Sequence, residues 1–161
     1  MNRLIIAIIV GTALSFISVA LFTMWESLQV ILDNFSNDIL MIIVMMLASQ
    51  FSSNMFAVFL ASEFKISLLL GPSLLAWLFT GYICGTITRE IRNGLISSVL
   101  SFVIILLIWI LLSIIAGQDL MSMFQGNQLI STVGGIFTSL IGAAGGGALG
   151  GFVTSSKEGF Y

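Results

Sequence analysis

Residues 129–153 read LISTVGGIFTSLIGAAGGGALGGFV, an uncharged apolar stretch of membrane-spanning length that carries two parallel ladders of small residues. One ladder is Gly134, Thr138, Gly142, Gly146 and Gly150; the other is Gly135, Ser139, Ala143, Gly147 and Gly151. In water this much glycine argues against a helix, at roughly 1 kcal/mol per Gly relative to Ala. In lipid the backbone must satisfy its own hydrogen bonds, so a spanning segment of this kind is a helix. Small residues at every fourth position strip one face bare and let a neighbouring helix pack backbone to backbone against it. The stretch predicts a contact face and is nearly silent about chemistry.

Outward from this helix the whole chain has the same character. Its 161 residues are 58% hydrophobic and 7% charged, against about 25% charge in a soluble domain. Five Lys and Arg with seven Asp and Glu cannot cover a water-soluble globule of this size. The expectation is an all-α integral membrane protein, a polytopic transmembrane helical bundle that forms a single domain over residues 1–161. A net charge of −2 without a basic run excludes a nucleic-acid surface. Cys84 is the one cysteine, so there is no internal disulfide, and within an apolar segment it reads as a small buried residue. The absence of histidine removes bis-His haem, the commonest zinc and copper ligand, and the usual near-neutral proton shuttle.

Five apolar segments stand out, near 4–24, 39–61, 66–88, 95–116 and 129–153. Arg3, the first apolar run and Ser18-Val19-Ala20 resemble a signal peptide, but the run continues to Met24 and is followed by Trp25. An uncleaved helix with an interfacial Trp fits better. Residues 26–38 (ESLQVILDNFSND) are acidic yet apolar enough to lie along a membrane surface, and contain the sequon Asn34-Phe35-Ser36. The segment 39–61 has Ser49-Gln50-Phe51-Ser52-Ser53-Asn54 at its middle, the depth where polar groups are most costly. Gly71-Pro72 interrupts the next segment early, so regular helix is predicted from near Pro72.

Four to five spans are compatible with this pattern. Five full crossings distribute the basic residues three against two, a poor positive-inside bias. Alternatively, 39–61 enters from outside as a re-entrant hairpin and turns back at Ser49–Asn54. Arg3, Arg89, Arg92 and Lys157 are then cytoplasmic with only Lys65 outside, and the C-terminus is cytoplasmic. Such backbone is allowed only where protein or a wet cavity satisfies it.

Three stretches together carry a resemblance. Gly81-Tyr82-Ile83-Cys84-Gly85 ends one helix, Arg92-Asn93-Gly94-Leu95-Ile96-Ser97-Ser98 opens the next, and Gly134-Gly135 through Gly150-Gly151 fills the last. This resembles small glycine-rich four-pass membrane proteins found in archaea and some bacteria. The resemblance covers the second half of the chain and implies architecture alone, since no activity is assigned to that group.

No ionisable side chain falls near the middle of a clear span, which argues against a rotary-ring proteolipid, a proton-coupled carrier or an intramembrane protease. No catalytic, cofactor-binding or metal-ligating constellation is legible, so neither enzyme activity nor a cofactor is expected. The helix-packing candidates are Gly134, Gly135, Gly142, Gly146, Gly147, Gly150 and Gly151, with Gly81 and Gly85 spaced by four on the third apolar segment. Ala7-Gly11-Ser15 and Gly94-Ser98 repeat the spacing, so one row of the ladder is predicted to face inward and the other outward. The leading expectation is a non-catalytic accessory subunit that packs, in the bilayer, against other membrane subunits or itself. The alternative is a small channel or transporter component with Ser49, Gln50, Ser53 and Asn54 as its polar constriction.

Overall fold

The computed structural model describes residues 2–23, 25–35, 38–55, 71–119, 121 and 124–155. Every regular element among them is helical: α1 (Asn2–Phe22), α2 (Glu26–Phe35), α3 (Ile39–Ser49), α4 (Pro72–Thr88), α5 (Ile91–Ile115) and α6 (Gly126–Thr154). Of these, α1, α5 and α6 are long and apolar enough to cross a membrane. The protein is thus an all-α integral membrane protein. The apolar segments 39–61 and 66–88 contribute shorter helices. The 11 residues of α3 reach roughly 16 Å and the 17 of α4 roughly 25 Å. Residues 56–70, which include the second arm of the expected hairpin together with Glu63 and Lys65, lie outside the described residues, as does Lys157.

The bundle is organised around α4, α5 and α6. Arg89, in left-handed conformation at φ 59°, turns the chain between α4 and α5, and the two helices run antiparallel with Gly94 against Gly85 and Thr88. The inner half of α6 then lies in the groove they form. It runs parallel to α4, so that Gly142 meets Leu74, Gly146 meets Leu78 and Gly150 meets Tyr82. It runs antiparallel to α5, so that Gly147 meets Ser98 and Gly151 meets Glu90 and Ile91. On the other side α1 packs against α4 and α5, with Gly11 on Cys84 and Ser101. There the Cys84 thiol donates to the Ala7 carbonyl at 3.3 Å and the Ser101 hydroxyl to the Ile8 carbonyl at 3.2 Å.

Both rows of the small-residue ladder are therefore buried inside this one chain, which corrects the expectation of one row facing outward. The reason is geometric: α4 and α5 both press on the inner half of α6, and the chain leaving α3 presses on Gly134 and Gly135. The outward surface of α6 carries Phe137, Ile141, Leu149 and Phe152 instead. Gly145, which belongs to neither ladder, faces open space. Ala7-Gly11-Ser15 serves the α1 contact rather than the ladder.

These arrangements sort the charges. Arg3 shares a cleft of about 680 Å³ with Thr88, Glu90 and Asn93, so Arg3, Arg89, Arg92 and the C-terminal end of α6 lie at one end of the bundle. Glu26 and Asp33 on α2, Asp38 at the start of α3 and Asp119 beyond α5 lie at the other. There Leu28 and Ile31 of α2 border a small cavity with Phe16, Val19 and Ala20 of α1 and Met46 of α3, and Glu26 and Asp33 are exposed. The acidic stretch is thus helical over Glu26–Phe35. Trp25, left-handed at φ 67°, makes the corner between α1 and α2.

Candidate functional site

The feature of this bundle that packing alone does not explain is the break after α3. Asp38 caps α3 by accepting the Met41 N–H at 3.1 Å, and Gln118 beyond α5 reaches the Met41 sulfur at 3.2 Å. From that acidic end α3 descends antiparallel to α5 and stops at Ser49. Its last turn tightens: the Gln50 and Phe51 N–H groups bond back three residues to Leu47 and Ala48, at 3.1 and 3.0 Å, and the Ser49 hydroxyl folds onto the Met46 carbonyl at 2.7 Å. The Gln50 carbonyl leaves the helical pattern and accepts two tertiary bonds, from Trp77 Nε1 at 3.1 Å and Ser139 Oγ at 2.9 Å. Neighbouring helices have taken over the backbone that α3 would otherwise have carried on.

The next residues are held the same way. The Ser53 N–H donates to Ser73 Oγ at 2.9 Å and the Met55 N–H to Thr138 Oγ1 at 2.8 Å. Asn54 Nδ2 donates to the Ile130 carbonyl at 3.2 Å. Gly134 and Gly135 lie against the Asn54 amide and the Phe51 carbonyl, so the upper rungs of the ladder make room for non-helical backbone rather than for a helix. Ser53 also lies against Gly71, the extended cap residue ahead of Pro72. The C-terminal end of α3 and the N-terminal end of α4 thus converge within the bundle. Phe51, Trp77, Phe102 and Trp109 close around the junction, with ring centroids of Phe51 and Trp109 5.3 Å apart and of Trp77 and Phe102 5.2 Å apart.

Of the four residues expected to form a polar constriction, Ser49 and Asn54 bond through their side chains, Ser53 through its backbone N–H and Gln50 through its carbonyl; only the Gln50 side chain stands apart. It is 1% exposed, and neither its Oε1 nor its Nε2 has a hydrogen-bond partner among the described residues. A buried polar group without a partner costs on the order of 1–3 kcal/mol. Trp109 Nε1 is in the same condition at 3% exposure, as is Ser113 Oγ one turn further along α5. Most other buried hydroxyls are satisfied locally: Ser15, Ser97 and Ser98 each return their proton to the carbonyl three residues back. A cleft of about 350 Å³ is lined by Ala48, Phe51, Trp109, Gln128, Ser131 and Thr132; the buried Gln50 is not part of its wall. No charged side chain lines it, and among the described residues no three of Cys, Asp and Glu gather where they could hold a metal.

Trp77, Trp109, Ser73, Thr138 and Ser139 complete the site, and reasoning from the sequence did not select them as polar partners. Thr138 and Ser139 sit in the ladder and read there only as small residues. Trp109, an indole in the middle of the Ile- and Leu-rich run of α5, was the legible signal. The chain matches no family model, no curated protein and no solved structure.

Proposed function

We propose that this protein is a component of a membrane pathway for small solutes, with the break at Gln50–Met55 as its constriction and Gln50 as its hydrogen-bonding residue. The observation that carries this reading is the buried Gln50 amide, unpartnered among the described residues where two apolar helices meet end to end. An accessory subunit that only packs has no use for such a group, and a leucine there would avoid its desolvation. The ladder, which was the ground for expecting contact with other subunits, is taken up within the chain.

The proposed threading follows from the same geometry. Five full crossings would put Arg3 and Arg89 at opposite ends of the bundle, yet Arg3 shares its cleft with Thr88, Glu90 and Asn93. We infer that α1, α5 and α6 cross, and that α3 enters from the acidic end to about half depth. From that depth α4 completes the passage to the basic end. The positive-inside rule then makes the basic end, and with it the C-terminus, cytoplasmic. Broken helices of this kind line paths in transporters because the freed backbone and its flanking side chains face the solute.

Purified protein in liposomes tests this directly. Release of urea, glycerol, K+ or Cl− should exceed that from protein-free vesicles for at least one solute, and Gln50→Leu should reduce it at least tenfold. Asn54→Leu, which removes the tie to Ile130, should lower it as well. No flux for any of these solutes, together with a fixed set of co-purifying chains, would return the protein to the accessory-subunit reading.

A further inference from the structure

The larger cleft, of about 680 Å³, lies at the basic end, between the N-terminal ends of α1 and α5 and the C-terminal end of α4. Its wall carries five polar side chains, Asn2, Arg3, Thr88, Glu90 and Asn93, together with Leu4. Arg3 and Glu90 are exposed. They form no ion pair with each other, and Arg3 has no other partner among the described residues. Asn93 Nδ2 donates to Glu90 Oε2, which ties the carboxylate to the first turn of α5. The Thr88 hydroxyl donates to the Gly85 carbonyl at 3.0 Å. The charged groups left unspent in the wall are thus one guanidinium on α1 and one carboxylate ahead of α5. The long apolar helices α1 and α5 begin here, so the cleft stands at the level of lipid headgroups. We propose that it binds the headgroup of a phosphatidylethanolamine-type lipid, with the phosphate on Arg3 and the free ammonium on Glu90. This inference does not rest on the pathway reading; it needs α1 and α5 to span, not a solute route.

The pairing of charges selects the headgroup. A guanidinium presents a planar fork of N–H donors that matches two phosphate oxygens. A primary ammonium donates to a carboxylate in the same charge-assisted way. A purely anionic ligand would suit Arg3 and bring its charge against Glu90, and a purely cationic one would do the reverse. A ligand with both charges answers both groups and adds no net charge to a balanced pair. Choline carries the same positive charge but no N–H, so it cannot hydrogen-bond to Glu90. Apolar surface for acyl chains adjoins the cleft. Leu4 is in its wall, and Ile5 and Ile91, the next residues after Leu4 and Glu90, are exposed. The volume falls within the roughly 300 to 1,000 Å³ of ligand sites.

Competition among lipids tests the proposal. Full-length protein, delipidated in detergent, is mixed with equimolar dioleoyl phosphatidylethanolamine, phosphatidylcholine and phosphatidylglycerol, and bound lipid is read by native mass spectrometry. Phosphatidylethanolamine should be retained over phosphatidylcholine by about tenfold, the worth of one hydrogen bond to a charged group. Glu90→Gln should abolish that preference, and Arg3→Gln should weaken the binding of both lipids alike. Equal retention of the two overturns the proposal, because the ammonium is then not read. A preference for phosphatidylglycerol overturns it too, since general attraction to Arg3, Arg89 and Arg92 gives that result. So does a phosphatidylethanolamine preference that survives Glu90→Gln, which places the lipid elsewhere. Soluble glycerophosphoethanolamine should displace the lipid only in large excess, because it lacks acyl chains. Displacement at equal concentration makes the free phosphodiester the ligand and overturns the lipid assignment. The three-lipid comparison on wild type decides the matter even where a variant fails to fold.

Discussion

Glycine has two different meanings on α4 and α6, and the structure tells them apart residue by residue. A methyl group on Gly151 would sit 2.5 Å from the Glu90 carbonyl oxygen, and one on Gly81 would meet the Gly147 nitrogen at 2.9 Å, both of them rigid backbone. On Gly145 it would meet nothing within 4 Å. Gly81→Ala should therefore destabilise the bundle by about 1–3 kcal/mol through overpacking. Gly145→Ala should be neutral or stabilise by up to about 1 kcal/mol, because Ala is the better helix former. Thermal unfolding in detergent, followed by circular dichroism, checks the pair; equal effects at the two positions would contradict the packing described for α6. At Trp77, replacement by Phe keeps the ring but removes the donor to the Gln50 carbonyl, which still holds the Ser139 bond. A modest loss of about 0.5–1.5 kcal/mol is expected from the same measurement.

Among the elements, α6 works in two halves. Its inner half, from Gly142 to Gly151, holds α4 and α5 by backbone contact. Its outer half, from Ile130 to Ser139, holds the break after α3 through Gly134, Gly135, Thr138 and Ser139. The double substitution Gly146→Leu, Gly147→Leu should thus unfold the single chain, where a purely intermolecular ladder would only dissociate an assembly. Loss of protease resistance that is independent of protein concentration is the expected result. The division was half visible in the sequence. The four-residue spacing revealed that α6 is contacted along its length, but spacing reports which face is bare and not whether a helix or a turn lies against it. Gly134 and Gly142 look alike in a sequence, and only the chain returning from α3 distinguishes them. The same holds for Ser139, a small residue by composition and a hydrogen-bond donor by position.

For the molecule as a whole, the proposed threading predicts that positions 34 and 64 face the same side of the membrane. Single cysteines at positions 34 and 64 should label from outside and at 93 from inside, with the native Cys84, fully buried, as an unreactive background. Labelling of 34 and 64 from opposite sides would defeat that threading. The sequence by itself determined that this is a helical membrane protein, because a chain with so few charges cannot cover a soluble core and a glycine-rich apolar segment can only be a helix in lipid. It also indicated regular helix from near Pro72, because Gly71-Pro72 is a local breaker, while at Ser49–Asn54 it left a crossing helix and a hairpin tip both open. Which contacts those interruptions make was decided by tertiary structure alone. The bonds that replace the helical ladder at Gln50 come from Trp77 and Ser139, 27 and 89 residues away, a separation at which no local pattern carries information. The opening ladder, too, changed its meaning there: both of its rows turn inward, because α4, α5 and the chain leaving α3 all close on it.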